Sequence, residues 1–236
     1  MRTGTKTALI TGASRGLGLA LARELARRGW RLIIDARGAA ALETARAELS
    51  EWTDVVAIAG DIADAAHRRA LARAARDAGD IDVVVNNASM LGPSPQPALL
   101  DYPLDVLEQV YRTNVLGPLG LLQAIHAADA LKRGGRIINI TSDAAVEAYE
   151  GWGGYGSSKA ALEQLSAVLA AELGDGARVY WVDPGDMRTK MQQEAFPGED
   201  ISDRPPPEAS VPGLIALIEG DLPSGRYSAR ALGVAA

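Results

Sequence analysis

The sequence contains no cysteine, which excludes a disulfide framework, a thiolate nucleophile and any cysteine-ligated metal site. Histidine is nearly as scarce, at two residues. His67 and His126 lie apart on helical stretches among alanines, so surface exposure or helix packing is expected of both, and no metal site is expected. An excess of positive charge is also missing: 24 Lys and Arg stand against 30 Asp and Glu, a formal charge of -6. That leaves no basic field for a phosphate backbone and argues against a nucleic-acid partner. No run reaches the roughly 18 apolar residues of a membrane span. The polar start, Met1 to Thr7, passes straight into an apolar strand without a positive-then-apolar leader, so a cytoplasmic location is expected. Only four of the basic residues are lysines, Lys6, Lys132, Lys159 and Lys190, which makes each of them more informative.

What is present fits a folded domain with a full core. The 236 residues are 47% hydrophobic and 23% charged, with a mean hydropathy near zero, enough to bury a core and keep a charged surface. One domain over 1–236 is expected. Short β-rich runs, Thr7–Ile10, Arg31–Asp35, Asp54–Ile58, Ile81–Val85, Arg136–Ile140 and Arg178–Val182, alternate with helical stretches such as Gly16–Arg28 and Ala39–Ser50. The runs are continuously apolar, as strands covered on both faces require. This predicts an α/β fold, a Rossmann-like doubly wound parallel sheet with helices on both faces, and a ligand beyond the carboxyl ends of the strands. Two proline-rich stretches, Leu91–Pro103 and Pro184–Pro207, break the rhythm, and the second reads as a substrate loop over about 186–207. A short segment, 208–236, follows it, with helical period over Glu208–Glu219 and a possible last strand over Gly225–Ala229.

Directly after the first strand stands Thr11-Gly12-Ala13-Ser14-Arg15-Gly16-Leu17-Gly18, leading into the first helix. Glycines there let the backbone turn sharply and bring main-chain N–H groups at a helix N-terminus up to a phosphate. The second strand ends Asp35-Ala36-Arg37, and these residues point in opposite directions: an acid usually grips a ribose hydroxyl, an arginine a 2′-phosphate. Arg37 and Arg15 can converge on one phosphate with the paired geometry guanidinium groups favour, which favours NADP(H) over NAD(H). Tyr155 and Lys159, four apart at the start of a helix, share a face. An ammonium beside a phenol favours the phenolate and makes the pair usable for proton transfer.

With these residues in place the chain resembles the short-chain dehydrogenase/reductase family, in its short single-domain form, from about Thr5 to Thr189. Further matches follow in chain order: Asp61-Ile62 after the third strand, Asn86-Asn87-Ala88 after the fourth, Asn114 in the next long helix, Ser142 after the fifth strand and Pro184-Gly185 after the sixth. The resemblance implies a catalytic set in which Ser142 binds the substrate oxygen, Tyr155 moves the proton, Lys159 holds the nicotinamide ribose and lowers the tyrosine pKa, and Asn114 supports a proton relay. It places Asp61 and Ile62 at the adenine and Asn87 and Ala88 on the adenosine side. Pro184, Gly185, Met187 and Thr189 fall at the nicotinamide. It also puts the family's ribose-gripping acid at Ala36, so that Asp35 points elsewhere in the adenine pocket. Ser89 stands where the family usually has glycine, and the Gly-rich final strand of many relatives is reduced to Pro223-Ser224-Gly225-Arg226-Tyr227.

The expected activity is NADP(H)-dependent interconversion of a carbonyl and an alcohol on a small molecule, in the reducing direction. The substrate pocket is expected between Ala144–Trp152 and the loop after Arg188, with Trp152 on its wall and Pro205-Pro206-Pro207 stiffening one side. A homodimer through the helices near Leu104–Leu131 and Gly154–Leu173 is implied by the resemblance, a homotetramer being the alternative. Two rival functions remain: an NAD-dependent epimerase or dehydratase, and a protein that senses NADP(H) without turnover.

Overall fold

The computed structural model describes residues 5–233; part of the Met1–Thr7 reading and both expected domain limits lie outside the described residues. Seven parallel strands form one sheet in the order β3-β2-β1-β4-β5-β6-β7. They are β1 (Thr7–Ile10), β2 (Arg31–Ala36), β3 (Val55–Ala59), β4 (Ile81–Asn86), β5 (Leu131–Ile140), β6 (Ala177–Asp183) and β7 (Gly225–Ser228). Successive side chains of a strand face opposite ways, and here both ways are apolar. Ala8 and Ile10 enter one core and Leu9 the other; Leu32 and Ile34 are likewise split from Ile33.

Helices cover each face. The first core is closed by α1 (Gly16–Arg27), α2 (Ala39–Leu49) and α8 (Val211–Glu219), through Leu21, Leu25, Leu42 and Leu214. The second is closed by α3 (Ala65–Asp77) and α5 (Gly117–Ala127), through Leu71, Leu121 and Ile125. Each such buried leucine or isoleucine stabilises by roughly 1.5–3 kcal/mol, so the doubly covered central strands hold the structure. Strand β1 lies between β2 and β4. The chain therefore runs outward in both directions from β1, and the crevice beyond the carboxyl ends of β1 and β4 is the topological switch point where a ligand binds in such sheets.

Departures from the sequence reading have local causes. The long helix expected over Leu104–Leu131 is three pieces: α4 (Leu104–Tyr111), a π turn at Arg112–Leu116, and α5. Pro118 has no N–H to give the Asn114 carbonyl, so the regular ladder cannot pass that point. Leu131 already belongs to β5, which starts five residues earlier than expected and carries a register irregularity opposite Ile81 and Val83. The stretch after Pro184 holds a short helix, α7 (Lys190–Ala195), capped by Thr189. The reduced C-terminal segment does form a strand, β7, paired with β6, followed by α9 (Ala229–Gly233). Last among the long helices is α6 (Gly153–Leu173). Among the described residues no helix is long and apolar enough to cross a membrane.

Candidate active site

At the switch point lies a cavity of about 940 Å³. Its floor is the turn after β1. Gly12 takes φ +67°, and a Cβ there would stand 2.9 Å from the Ala88 Cα; only glycine meets both conditions. The turn is braced from β4: the Asn87 amide donates to the Thr11 carbonyl at 2.8 Å, while the Asn87 and Ala88 N–H groups both donate to the Thr11 hydroxyl at 3.0 Å. Gly16 takes φ +56°, with only Thr189 near the place of a Cβ, which leaves bare backbone at the N-terminus of α1.

The cavity brings together most of the residues singled out from sequence. Gly12, Ser14, Arg15, Gly16 and Leu17 line one wall, Arg37, Asp61 and Ile62 the adjoining end, and Asn87 and Ala88 the side beneath β4. Tyr155, Lys159, Pro184, Met187 and Thr189 line the opposite end. Ser142 and Gly185 open instead onto a smaller neighbouring cavity of about 90 Å³, which shares Tyr155 and Pro184 with the first. Gly18 and Asn114 line neither cavity. Gly18 packs behind the turn, where a Cβ would meet the Asn87 amide at 2.6 Å. Arg15 and Arg37 are both exposed. Trp152 lines the smaller cavity, edge-on to Tyr155 at 5.8 Å between centroids and 6.0 Å from Phe196.

Tyr155 and Lys159 are buried in the first turns of α6, at 8% and 1% exposure. The Lys159 ammonium donates to the Ile140 carbonyl at 2.8 Å and lies 5.4 Å from the centre of the Tyr155 ring. Burial pushes its pKa down to about 7. Burial also holds the Tyr155 phenol above the usual tyrosine range; the Asp143 and Asp183 carboxylates add to this, and hydrogen bonds with the Ser89 and Ser142 hydroxyls oppose it. In the protein alone the net effect keeps the phenol protonated. Ser142 donates to Asp143 Oδ1 at 2.8 Å, and Asp143 Oδ2 accepts from Tyr149 at 3.1 Å.

Asn114 is fully buried in the π turn. Its amide donates to the Met90 carbonyl at 2.8 Å and the Ser158 hydroxyl at 2.9 Å; its oxygen accepts from Met90 N–H at 2.8 Å and from Ser89 at 3.1 Å. Ser89, where a missing glycine raised the prospect of an altered turn, has no positive φ and so needs no glycine. Its hydroxyl donates to the Asn114 oxygen and bears on the Tyr155 phenol, contacts the residue order alone does not show.

Of the two places expected for His67, surface or helix packing, the structure shows the second: its ring is buried on α3 and lies 2.9 Å from Asp35, a partner the sequence does not indicate. A signal for the burial was present: His67 falls on one stripe with Leu71 and Ala75, the buried face of α3. His126 is exposed, as expected.

A parallel doubly wound sheet, a glycine turn at its switch point and a buried tyrosine and lysine beyond it define a dinucleotide-dependent oxidoreductase architecture. Comparison with known proteins agrees. The short chain dehydrogenase family model matches residues 6–200, and the chain belongs to that family, whose members act on CH–OH and C=O groups. It is 39% identical to a serine 3-dehydrogenase of Agrobacterium fabrum over 190 residues, 78% of this chain and 73% of that one. It is 37% identical over 229 residues to the rhamnolipids biosynthesis 3-oxoacyl-[acyl-carrier-protein] reductase of Pseudomonas aeruginosa, 94% of this chain and 83% of that one. A short chain dehydrogenase of Shigella flexneri solved in complex with NADP superposes with a TM-score of 0.88 at 28% identity, covering 95% of this chain and 97% of that one.

Proposed function

We propose that the protein is an NADP(H)-dependent oxidoreductase that reduces a carbonyl of a small molecule to an alcohol, with Tyr155 as the proton donor. The observation that carries this reading is a single cavity with two exposed arginines beside a glycine turn at one end and a buried tyrosine and lysine at the other. The bare backbone at Gly16 and the N-terminus of α1 suit a pyrophosphate; Arg15 and Arg37 suit a 2′-phosphate. The NADP held by the Shigella flexneri relative supports the same choice. Asp61, Ile62, Asn87 and Ala88 would hold the adenosine side, and Lys159, Pro184, Gly185, Met187 and Thr189 the nicotinamide side. When bound, the cofactor supplies the hydride.

The chain's own residues handle the oxygen and the proton. Tyr155, held protonated by burial, donates to the carbonyl oxygen as charge develops there, and Ser142 binds the same oxygen. Ser89 and Asn114 steady the phenol from behind. Among the described residues the smaller cavity is lined by Asp143, Asp183 and Asp186 and by no cationic side chain, which favours a neutral or cationic substrate over an anionic one. Apolar side chains exposed on α4 and α6, Leu104 and Val168 among them, support a homodimer through these helices.

The test is a fluorescence titration of the purified protein with NADPH and, separately, NADH, followed by a panel of aldehydes, ketones and diketones added to the better binder. Tighter NADPH binding with oxidation by at least one carbonyl is expected. NADPH binding without turnover across the panel would favour a sensing role.

A further inference from the structure

Ser142 stands where β5 runs out of sheet. The last register pair between β5 and β6 is Ile140 with Val182, after which the Thr141 N–H still donates to the Val182 carbonyl at 2.9 Å. Three side chains then hold this strand end, one residue after another. Lys159 donates to the Ile140 carbonyl at 2.8 Å. Glu163, one turn further along α6, accepts from the Thr141 hydroxyl at 2.8 Å. Arg226, on β7, donates through Nη2 to the Ser142 carbonyl at 3.2 Å and through Nε to the two Glu163 oxygens at 3.0 and 3.2 Å. We propose that Arg226 is a positioning residue for the reaction: by tying the Ser142 carbonyl to Glu163, it fixes Ser142 relative to the helix that carries Tyr155. The proposal rests on the oxygen-binding role given to Ser142 above.

Each partner is aimed by its own element. Tyr155, Lys159 and Glu163 follow one another at intervals of four on α6 and so share the face turned to the end of β5. Arg226 lies opposite Trp181 in the β6–β7 pairing. Its strand neighbour Tyr227 packs edge-on to Tyr180 at 5.9 Å, in the first core, and the alternation of a strand then sends Arg226 to the other face, where α6 lies. The rigid fork of a guanidinium lets one side chain serve a carboxylate and a carbonyl together. The Glu163 side chain is only 12% exposed, so the pair is partly shielded from water. The Ser142 carbonyl also accepts the Ala145 N–H at 3.2 Å, and the Ser142 hydroxyl donates to Asp143. Both of those bonds lie within the turn and travel with it. The bond from Arg226 comes from the sheet, and it is the one that can set where the turn stands.

The experiment is a double-mutant cycle. It measures kcat and KM, with the carbonyl compound of the panel that the wild type reduces fastest, and the NADPH dissociation constant for the wild type, Arg226→Ala, Ser142→Ala and the variant carrying both changes. A reacting group misplaced by about 1 Å can cost about 10² in rate, so Arg226→Ala is expected to lower kcat by about tenfold or more, with NADPH affinity within about twofold. In the Ser142→Ala background the same change should cost almost nothing further, because no hydroxyl is left to place; residues that act as a unit are not additive. A merely structural role would multiply with the loss from Ser142→Ala. Multiplying losses, or a wild-type kcat in Arg226→Ala, would overturn the proposal and leave the role of Ser142 intact. A wild-type kcat in Ser142→Ala would overturn both. If Arg226→Ala does not fold, Arg226→Lys, which keeps the charge and gives up the fork, takes its place in the same cycle with the same outcomes.

Discussion

The two ends of the long cavity are built differently. The end proposed for adenosine and pyrophosphate consists of strand termini and backbone: Gly12, Thr11, Asp35 and Asn87 are tied to one another by hydrogen bonds of 2.7–3.0 Å, within a few residues of β1, β2 and β4. The end proposed for the substrate takes its walls from the start of α6 and from α7, with Trp152 and Phe196 packed across the gap. Backbone-built sites tolerate little change and bind a ligand part shared by many enzymes. Walls made of side chains on a late loop can vary, and they set what is reduced. On the proposed reading the chemistry sits where the two meet, at Tyr155.

The largest effect should come at that junction. Tyr155→Phe removes the donor and little else, because the ring stays in its contact with Trp152; kcat is expected to fall by about 10²–10⁴ with NADPH affinity within about twofold. A steady-state assay beside a cofactor titration checks this, and near-normal turnover would remove Tyr155 from the mechanism. Next comes Gly12→Ala, which must place a Cβ against Ala88 at positive φ. A cost of about 1–2 kcal/mol from the backbone conformation alone, plus the clash, should lower the melting temperature and weaken both dinucleotides together. Arg37→Ala should act more narrowly, weakening NADPH about tenfold or more and leaving NADH almost unchanged. If both weakened equally, Arg37 would be a general anchor with no part in selecting the 2′-phosphate.

The same division governs what the sequence discloses. Residues that act through neighbours in the chain are readable: β1 runs over Thr7–Ile10 as expected, the glycine turn falls between it and α1, and Tyr155 and Lys159 share a helix face because they are four apart. Contacts across the fold are not. Asp35 and His67 are 32 residues apart, and nothing in either segment says that α3 will carry His67 under β2. Asp35 accepts from the Gly12 N–H and from His67, and the second of these bonds comes only from the packing of α3. The apolar run that marks β5 begins at Arg136, whereas the strand begins at Leu131; Gly134 takes φ +75°, yet the strand passes through it. Pro118 carried a readable sign that the helix around Asn114 could not be regular, and the hydrogen bonds that hold Asn114 come from Met90, Ser89 and Ser158 on two other segments.

Ser89 tests the boundary between the two ends with the smallest expected effect. It belongs to the strand-end wall by position but reaches the catalytic phenol by its hydroxyl. Its hydroxyl proton, given to Asn114 while the phenol is protonated, can swing to the phenolate once that forms and lower the Tyr155 pKa, so Ser89→Gly should raise that value further. Alcohol oxidation needs the phenolate, and its rate should then climb to its plateau at a higher pH than in the wild type, with a several-fold loss of kcat below that point. Carbonyl reduction needs the protonated phenol, so any alkaline fall-off should also move to higher pH. Both displacements have the same sign, which separates loss of this hydrogen bond from a general loosening of the site: loosening would lower the two rates without moving either profile. NADPH affinity should hold within about twofold, since the backbone at position 89 has no positive φ and glycine can adopt it. A pH profile that does not move would assign Ser89 to the bracing of Asn114 alone and return the phenol to Ser142 and Lys159.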